Sequence, residues 1–230
     1  MATKAGKVLV IDVGGTHVKV RATGHKQEIK INSGPKMTAA EMARAVRKAT
    51  AGWDYSVVSI GYPGPAVHGR PLAEPHNLAG GWVNFNFERA FGCRVKLVND
   101  AVMQALGSYE GGRMLFLGLG TGLGSAMIVD GIAEPMELAH LPYKKNRTYE
   151  DYVGERALEK FGKKKWRSEV ADVVARLQAA LEPDYVVLGG GNARLLKKLP
   201  RGCRLGDNQN AFRGGLRLWQ DNARAHRWRR

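Results

Sequence analysis

Asp12 closes an apolar, β-branched run that starts at Val8; Gly14, Gly15 and Thr16 follow before alternating residues resume around Lys19. Two glycines let a backbone approach an anion closely, with successive N–H groups pointing into it. A carboxylate repels an anion unless a cation lies between them, so Asp12 implies Mg²⁺ shared with phosphate oxygens. A strand, a tight turn and a second strand make this a phosphate-handling hairpin. Gly118-Leu-Gly-Thr-Gly-Leu-Gly124 repeats the arrangement, with an apolar run Met114–Leu117 before it and Ser125–Val129 after it. There Thr121 offers a hydroxyl between Gly120 and Gly122. Neither G-x-G-x-x-G nor the P-loop pattern is satisfied, which argues against a dinucleotide fold or a Walker site.

Three further positions carry chemistry. Asn99-Asp100 stands between a strand and a helix. Alone it reads as a helix cap; between two phosphate hairpins it reads as a general base taking a hydroxyl proton in phosphoryl transfer. Glu137 and His140, three residues apart with Glu150 close behind, have the types and spacing to converge on a small polyol. No second His or Cys lies at metal-ligand spacing beside them.

The elements that must position these groups alternate between β and α. Thr38-Ala-Ala-Glu41 is a capping box opening a helix through Lys48. Val57–Ile60 predicts a strand ending in the rigid loop Gly61–Pro65, and Asn77–Trp82 a second loop. Val95–Val98 predicts a strand before a helix at Ala101–Ser108. Apolar spacing predicts a helix over Glu169–Leu181, then a strand at Tyr185–Leu188, a Gly189–Gly191 turn and a helix opening at Ala193. Ala211–Trp219 reads as a last helix, weakened by Gly214 and Gly215.

The chain has 230 residues, 44% of them hydrophobic, enough for one large domain or two small lobes sharing a cleft. No apolar run approaches the roughly 18 residues that span a bilayer. The first residues lack a signal-peptide core, and Cys93 and Cys203 are isolated, which together predict reduced thiols and a cytoplasmic setting. Lys and Arg number 36 against 21 acids, a net charge of +15. That excess fits a polyanionic partner or a solvated basic surface equally well. Part of it lies in Arg224–Arg230, and no recognition helix, zinc spacing or RNA-binding aromatic motif accompanies it, so no specific nucleic-acid partner is expected.

Taken in order, Asp12-Val-Gly-Gly-Thr16, Asn99-Asp100, Gly118–Gly124, Glu137-x-x-His140 and Gly189-Gly-Gly191 resemble the ROK sugar kinases, of the actin-like and hexokinase-like ATPase superfamily. Leu141–Val153, Lys163-Lys-Lys-Trp-Arg167 and Gly206-Asp-Asn-x-Asn-Ala-Phe212 resemble its polyphosphate glucokinase branch. The resemblance implies an α/β fold of two ribonuclease H-like lobes facing a central cleft. One lobe would span residues 1–108 with a returning helix at 209–222, the other 109–208, and 223–230 would be a basic tail. It implies phosphorylation of glucose or a related hexose at the 6-hydroxyl by polyphosphate, ATP or both, in a homodimer with no membrane association. Asp100 would be the base; Asn99, Glu137, His140 and Glu150 would hold other hydroxyls, with Asn77 and Gly64 lining the same pocket. Asp12 would orient Mg²⁺, while Gly14, Gly15, Thr16, Lys19, Gly120, Thr121 and Gly122 would take the donor phosphates. Gly189, Gly190 and Gly191 would meet the nucleoside end of ATP.

The departures from the family pattern are specific. The cysteines that follow the motif His in zinc-binding members are missing after His140, so no zinc is expected. Ala139 replaces a glycine, which would crowd the sugar loop, and His17 stands where small residues are common. The repressor members' helix-turn-helix is not seen ahead of the first strand. Two competing readings are an ATP-only hexokinase of different sugar specificity and a non-catalytic sugar sensor, against which Asp12 and Asp100 both argue.

Overall fold

The computed structural model describes residues 6–207 and 209–220. The β-branched run forms β1 (Val8–Val13), which turns on the glycines into antiparallel β2 (His17–Ala22), with β3 (Ile29–Asn32) beyond it. Helix α1 (Ala39–Ala49) starts at the expected capping box: Thr38 Oγ1 accepts from the Glu41 amide at 3.2 Å, and Glu41 accepts from the Thr38 amide at 2.9 Å. β4 (Val57–Tyr62) returns parallel to β1 and is buried along its whole length, as a central parallel strand covered on both faces must be. A short ribbon, β5 (Ala66–Val67) with β6 (Arg70–Pro71), and helix α2 (Phe87–Phe91) precede β7 (Arg94–Asn99). β7 pairs parallel to β4 and runs directly into α3 (Asp100–Ser108).

The second half repeats this plan. β8 (Arg113–Leu119), β9 (Leu123–Val129) and β10 (Ile132–Met136) form an antiparallel meander, followed by α4 (Glu150–Val153) and α5 (Glu155–Leu181). β11 (Tyr185–Gly189) pairs parallel to β8, and β12 (Cys203–Leu205) parallel to β11. The sheet orders, β3-β2-β1-β4-β7 and β10-β9-β8-β11-β12, share one topology: three antiparallel strands, then two parallel additions.

Three expectations are corrected. Helix α5 starts at Glu155, not Glu169, and Gly162 (φ 73, ψ 163) breaks it into two segments, which hides its period in the sequence. The helix expected from Ala193 is a single 3₁₀ turn, Ala193–Leu195, because Leu196 returns to an extended conformation. The last helix, α6, covers Asn210–Arg217, shorter than 209–222. Its glycines are packing residues: a Cβ on Gly215 would press into the Val10 side chain, and one on Gly214 into the Met103 carbonyl.

The chain divides into two compact units. One runs to Gly107 and takes in the described residues from Ala211 onward; the other runs from Ser108 to Asn210. Each has its own core, the first around Leu9, Ile11, Met42, Ile60 and Trp82, the second around Leu115, Leu117, Trp166, Val173 and Leu188. Among the described residues no helix is long and apolar enough to cross a membrane. Residues 1–5 and the basic segment Arg224–Arg230 lie outside the described residues.

Candidate active site

In the first unit the residues of interest gather at the carboxyl ends of β1, β4 and β7. Asp12 pairs in register with Gly61, and Gly61 with Val98, so Asp12 and the Asn99-Asp100 junction stand two strand spacings apart, roughly 10 Å. Open α/β sheets bind ligands at that edge. Asp12 faces Lys19 across the hairpin, with Lys19 Nζ 3.8 Å from its carboxylate. Burial pushes the Asp12 carboxyl above the usual carboxylate range, and Lys19 offsets only part of this.

The glycine turn is tight and crowded. Gly14 N–H donates to the His17 carbonyl at 3.0 Å, and a Cβ on Gly14 would lie 2.9 Å from that oxygen. A Cβ on Gly15 would lie 3.1 Å from the Asn77 Cβ, so this glycine lets the Asn77 loop reach the turn. Thr16 and His17 are exposed beside it.

At the other end of the sheet edge, Asn99 caps α3. Its Oδ1 accepts from Ala101 and Val102 at 2.9 and 3.3 Å, and its Nδ2 donates to the Gly64 carbonyl at 3.0 Å. Asp100 is the first residue of α3, half-buried, with Oδ1 2.7 Å from the Ala101 nitrogen. Gly61 leaves room for α3, since a Cβ there would run into the Met103 side chain.

The second unit builds its turn from Gly120, Thr121 and Gly122, with Gly120 N–H donating to the Gly122 carbonyl at 3.1 Å. Glu150 braces it: Leu123 N–H donates to its Oε2 at 3.1 Å, and a Cβ on Gly122 would collide with its carboxylate. Gly190 (φ +81) passes so close to the Leu119 carbonyl that any side chain would strike it, and Asn192 N–H donates to that carbonyl at 3.0 Å. Beside Gly190, a cavity of about 500 Å³ is lined by Ala193, Arg194, Leu205, Gly206 and Asp207. Glu137 and His140 flank a 3₁₀ turn with 3.8 Å between His140 Nε2 and Glu137 Oε2, both side chains exposed. Ser125, buried in β9, fixes that turn by donating to the Met136 carbonyl at 2.8 Å and accepting from Leu138 N–H at 3.2 Å.

Within the first unit, then, the structure joins Asp12, Gly14, Gly15, Lys19 and Asn77 into one group and Gly64, Asn99 and Asp100 into another on the same sheet edge. Within the second it joins Gly120, Thr121, Gly122, Glu150 and Gly190, with Gly189 and Gly191 flanking. Among the described residues no three His, Cys, Asp or Glu side chains cluster as a metal cage. Asp12 stands as a single carboxylate at a glycine turn. A cation held there would draw its remaining ligands from water and phosphate, the donor set Mg²⁺ prefers.

The comparisons with known proteins follow this geometry. No family model matches the chain. A polyphosphate glucokinase from Mycobacterium tuberculosis is 27% identical over 210 residues, which cover 82% of this chain and 78% of that protein. The crystal structure of an inorganic polyphosphate/ATP-glucomannokinase from Arthrobacter sp. strain KM superposes with a TM-score of 0.79 at 23% identity, covering 94% of this chain and 98% of the other. A ROK family glucokinase from Streptomyces griseus, solved with glucose and AMPPNP, gives 0.74 at 17% identity, over 93% and 99% of the two chains. The fold is that of the ROK sugar kinases.

On this ROK fold the departures read differently than they do in the sequence. The Ala139 methyl is buried in the second core, where it fills space. His17 keeps ordinary β pairing opposite Asn32, and only its carbonyl enters the turn. The Lys163–Arg167 run splits by role. Three lysines are exposed, Trp166 is buried with Nε1 donating to the Val153 carbonyl at 2.7 Å, and Arg167 donates to the Leu195 carbonyl at 2.7 Å. Both cysteines are free, and burial raises the Cys203 thiol to about 11. The sequence reading passed over Ser33, Ser125 and Asn192, which brace the turns. Ser33 Oγ donates to the Gly14 carbonyl at 2.7 Å and its N–H to that of Thr16 at 2.9 Å. Of these only Asn192 carried a signal, as the polar residue ending a triple-glycine run.

Proposed function

We propose that this protein is a kinase that phosphorylates glucose or a related hexose at the 6-hydroxyl, with polyphosphate or ATP as donor. The observation that carries the reading is the edge of the first sheet. It presents a carboxylate at a glycine turn on β1 and a second, half-buried carboxylate on the first residue of α3. The 27% identical polyphosphate glucokinase, aligned over most of both chains, supports the same chemistry.

In this reading the hexose hydroxyl oxygen attacks the terminal phosphorus as the bond from that phosphorus to the rest of the donor breaks. The hydroxyl proton passes to the Asp100 carboxylate. Little covalent work falls to the protein, so positioning and charge stabilisation dominate. The turns at Gly14–Thr16 and Gly120–Gly122 offer backbone donors to the phosphates, and Lys19 adds charge beside the first. Asp12 would hold Mg²⁺, which neutralises charge on the phosphate oxygens. Glu137, His140 and Glu150 bind the other hexose hydroxyls, joined by Asn99 and by the Asn77 and Gly64 loops. In this reading the cavity beside Gly190 takes the nucleoside end of ATP. Polyphosphate, charged along its length, would be drawn to the exposed Lys163, Lys164 and Lys165. The homodimer implied by the resemblance and the cytoplasmic setting expected from the isolated cysteines belong to this proposal.

A coupled assay for glucose 6-phosphate, supplied with polyphosphate alone and with ATP alone, tests the reading. Product with at least one donor is expected. Hexose binding without turnover on either donor would make the protein a sensor instead.

A further inference from the structure

His140 and Glu150 are the two feet of one small hairpin. Tyr149 N–H donates to the Leu141 carbonyl at 3.1 Å, Pro142 bridges Thr148, and Tyr143 N–H donates to the Arg147 carbonyl at 2.7 Å. Lys145 (φ 52) and Asn146 (φ 55) turn the tip in the left-handed region, which fits a two-residue hairpin loop. Tyr149 is buried in the second core and the Tyr143 ring packs against it and against Tyr152, at 5.2 and 5.0 Å between ring centres, while Leu141 at the base is 41% exposed.

That packing is not directional, and a polar cluster adds direction where the hairpin meets α5. The Tyr143 hydroxyl lies 2.8 Å from Glu169 Oε2 and 2.5 Å from Asp172 Oδ2. Lys144 Nζ is 2.7 Å from Glu169 and 3.5 Å from Asp172, and Arg176 Nε donates to Asp172 at 3.0 Å. The Arg176 guanidinium also stands 5.4 Å from the centre of the Tyr143 ring. Burial, and then the bond to Asp172, hold the Tyr143 phenol well above its usual range, so it stays a donor. Burial opposes ionisation of Glu169, but Lys144 and Tyr143 outweigh it and keep the carboxyl below its usual range.

Glu169 is buried on a helix whose neighbours Val170, Val173 and Val174 are core residues. A buried carboxylate is a poor source of stability, since an apolar side chain there would avoid its desolvation. What the cluster offers is direction: a phenol and an ammonium from adjacent hairpin residues must both meet one carboxylate, which admits one seating.

We propose that Tyr143, Glu169 and Asp172 are positioning residues that fix the hairpin on α5 and thereby set the places of His140 and Glu150. This rests on the reading of those two residues as hexose contacts. Tyr143→Phe and Asp172→Asn in the full chain should each raise the hexose KM roughly tenfold, the effect of a lost hydrogen bond to a charged group. Donor KM and kcat should stay within about twofold. In a His140→Ala/Glu150→Gln background, adding Tyr143→Phe should change the hexose KM by less than about twofold, the non-additivity expected of residues acting through one another. A full tenfold effect in that background would overturn the proposal.

Hydrogen exchange gives a readout that does not depend on the hexose. The Leu123 amide, bonded to Glu150, should lose protection in Tyr143→Phe while the core amides of α5 keep theirs. Unchanged protection at Leu123 overturns the positioning role. Lost protection there, with His140→Ala and Glu150→Gln leaving the hexose KM untouched, supports the positioning role and overturns the hexose assignment.

Discussion

The two glycine hairpins share a topology and differ in what supports them. The β1–β2 turn carries its own charge, the Asp12–Lys19 pair, and is braced on its carbonyls by Ser33. The β8–β9 turn has no charged residue at its tip. It is held from outside by the Glu150 carboxylate and by the Gly190–Asn192 loop, which grips the Leu119 carbonyl. One motif has become a charged arm in the first unit and a backbone cradle in the second. Substitutions in the first should therefore damage chemistry, and those around the second should damage shape.

The largest expected effect lies on the charged side. Asp100→Asn should lower kcat by about 10²–10⁴-fold, the usual contribution of a general base, with hexose KM nearly unchanged. Steady-state kinetics at saturating donor would measure this, and a kcat within a few-fold of the parent would place the base elsewhere.

On the cradle side, Gly190→Ala should destabilise the fold by about 1–3 kcal/mol, because its φ of +81 and the Leu119 carbonyl both exclude a methyl. Gly120→Ala, with nothing within 4 Å of the added carbon, should stay within about 0.5 kcal/mol. Urea unfolding compares them directly, and equal losses would mean that the cradle is not gripped where the contacts place it.

A smaller effect separates charge from stability at Asp12. Its folded-state pKa is raised from 3.8 by burial, so the folded state holds that proton more tightly than the unfolded chain does. Stability is then lost as the pH rises from the unfolded value through the folded one. Asp12→Asn should raise the urea midpoint at pH 7 and lose that gain below pH 4, while turnover falls. A midpoint unchanged at pH 7 would show that the carboxylate's burial costs nothing.

The mildest test concerns the donor. If polyphosphate follows the exposed α5 lysines, its KM should climb with added salt more steeply than that of ATP, since exposed charges are screened over about 8 Å at 0.15 M. Parallel salt slopes for the two donors would remove the lysines from the donor path.

The sequence displayed what is local. Both hairpins, the Thr38 capping box and the order of strands and helices could be read from glycine turns between β-branched runs and from apolar spacing. What escaped it depends on partners distant in the chain. The Leu141–Tyr149 hairpin turns on Lys145 and Asn146 and not on an Asn-Gly pair, so no turn signal marks it. Helix α5 begins at Glu155, and its period is broken at Gly162, just ahead of the lysine run. Glu150 stood out as a polyol ligand, but nothing near it in the chain announces that it also grips Leu123. Gly214 and Gly215 looked like weaknesses in a helix because the surface they lie against, at Val10 and Met103, is contributed by residues far earlier.

That last contact bears on how the protein is made. Phe212, Leu216 and Trp219 pack against Val8, Val10, Val57 and Met103, and Ser59 donates to the Gly215 carbonyl at 2.6 Å while accepting from Trp219 Nε1 at 2.8 Å. As the chain leaves the ribosome, the first sheet has those valines uncovered until residues 211–219 emerge. The residues of the second core all lie between Leu115 and Cys203 and emerge before residue 211. A chain stopped short of Ala211 would release its first sheet with an exposed apolar face, a surface prone to aggregation.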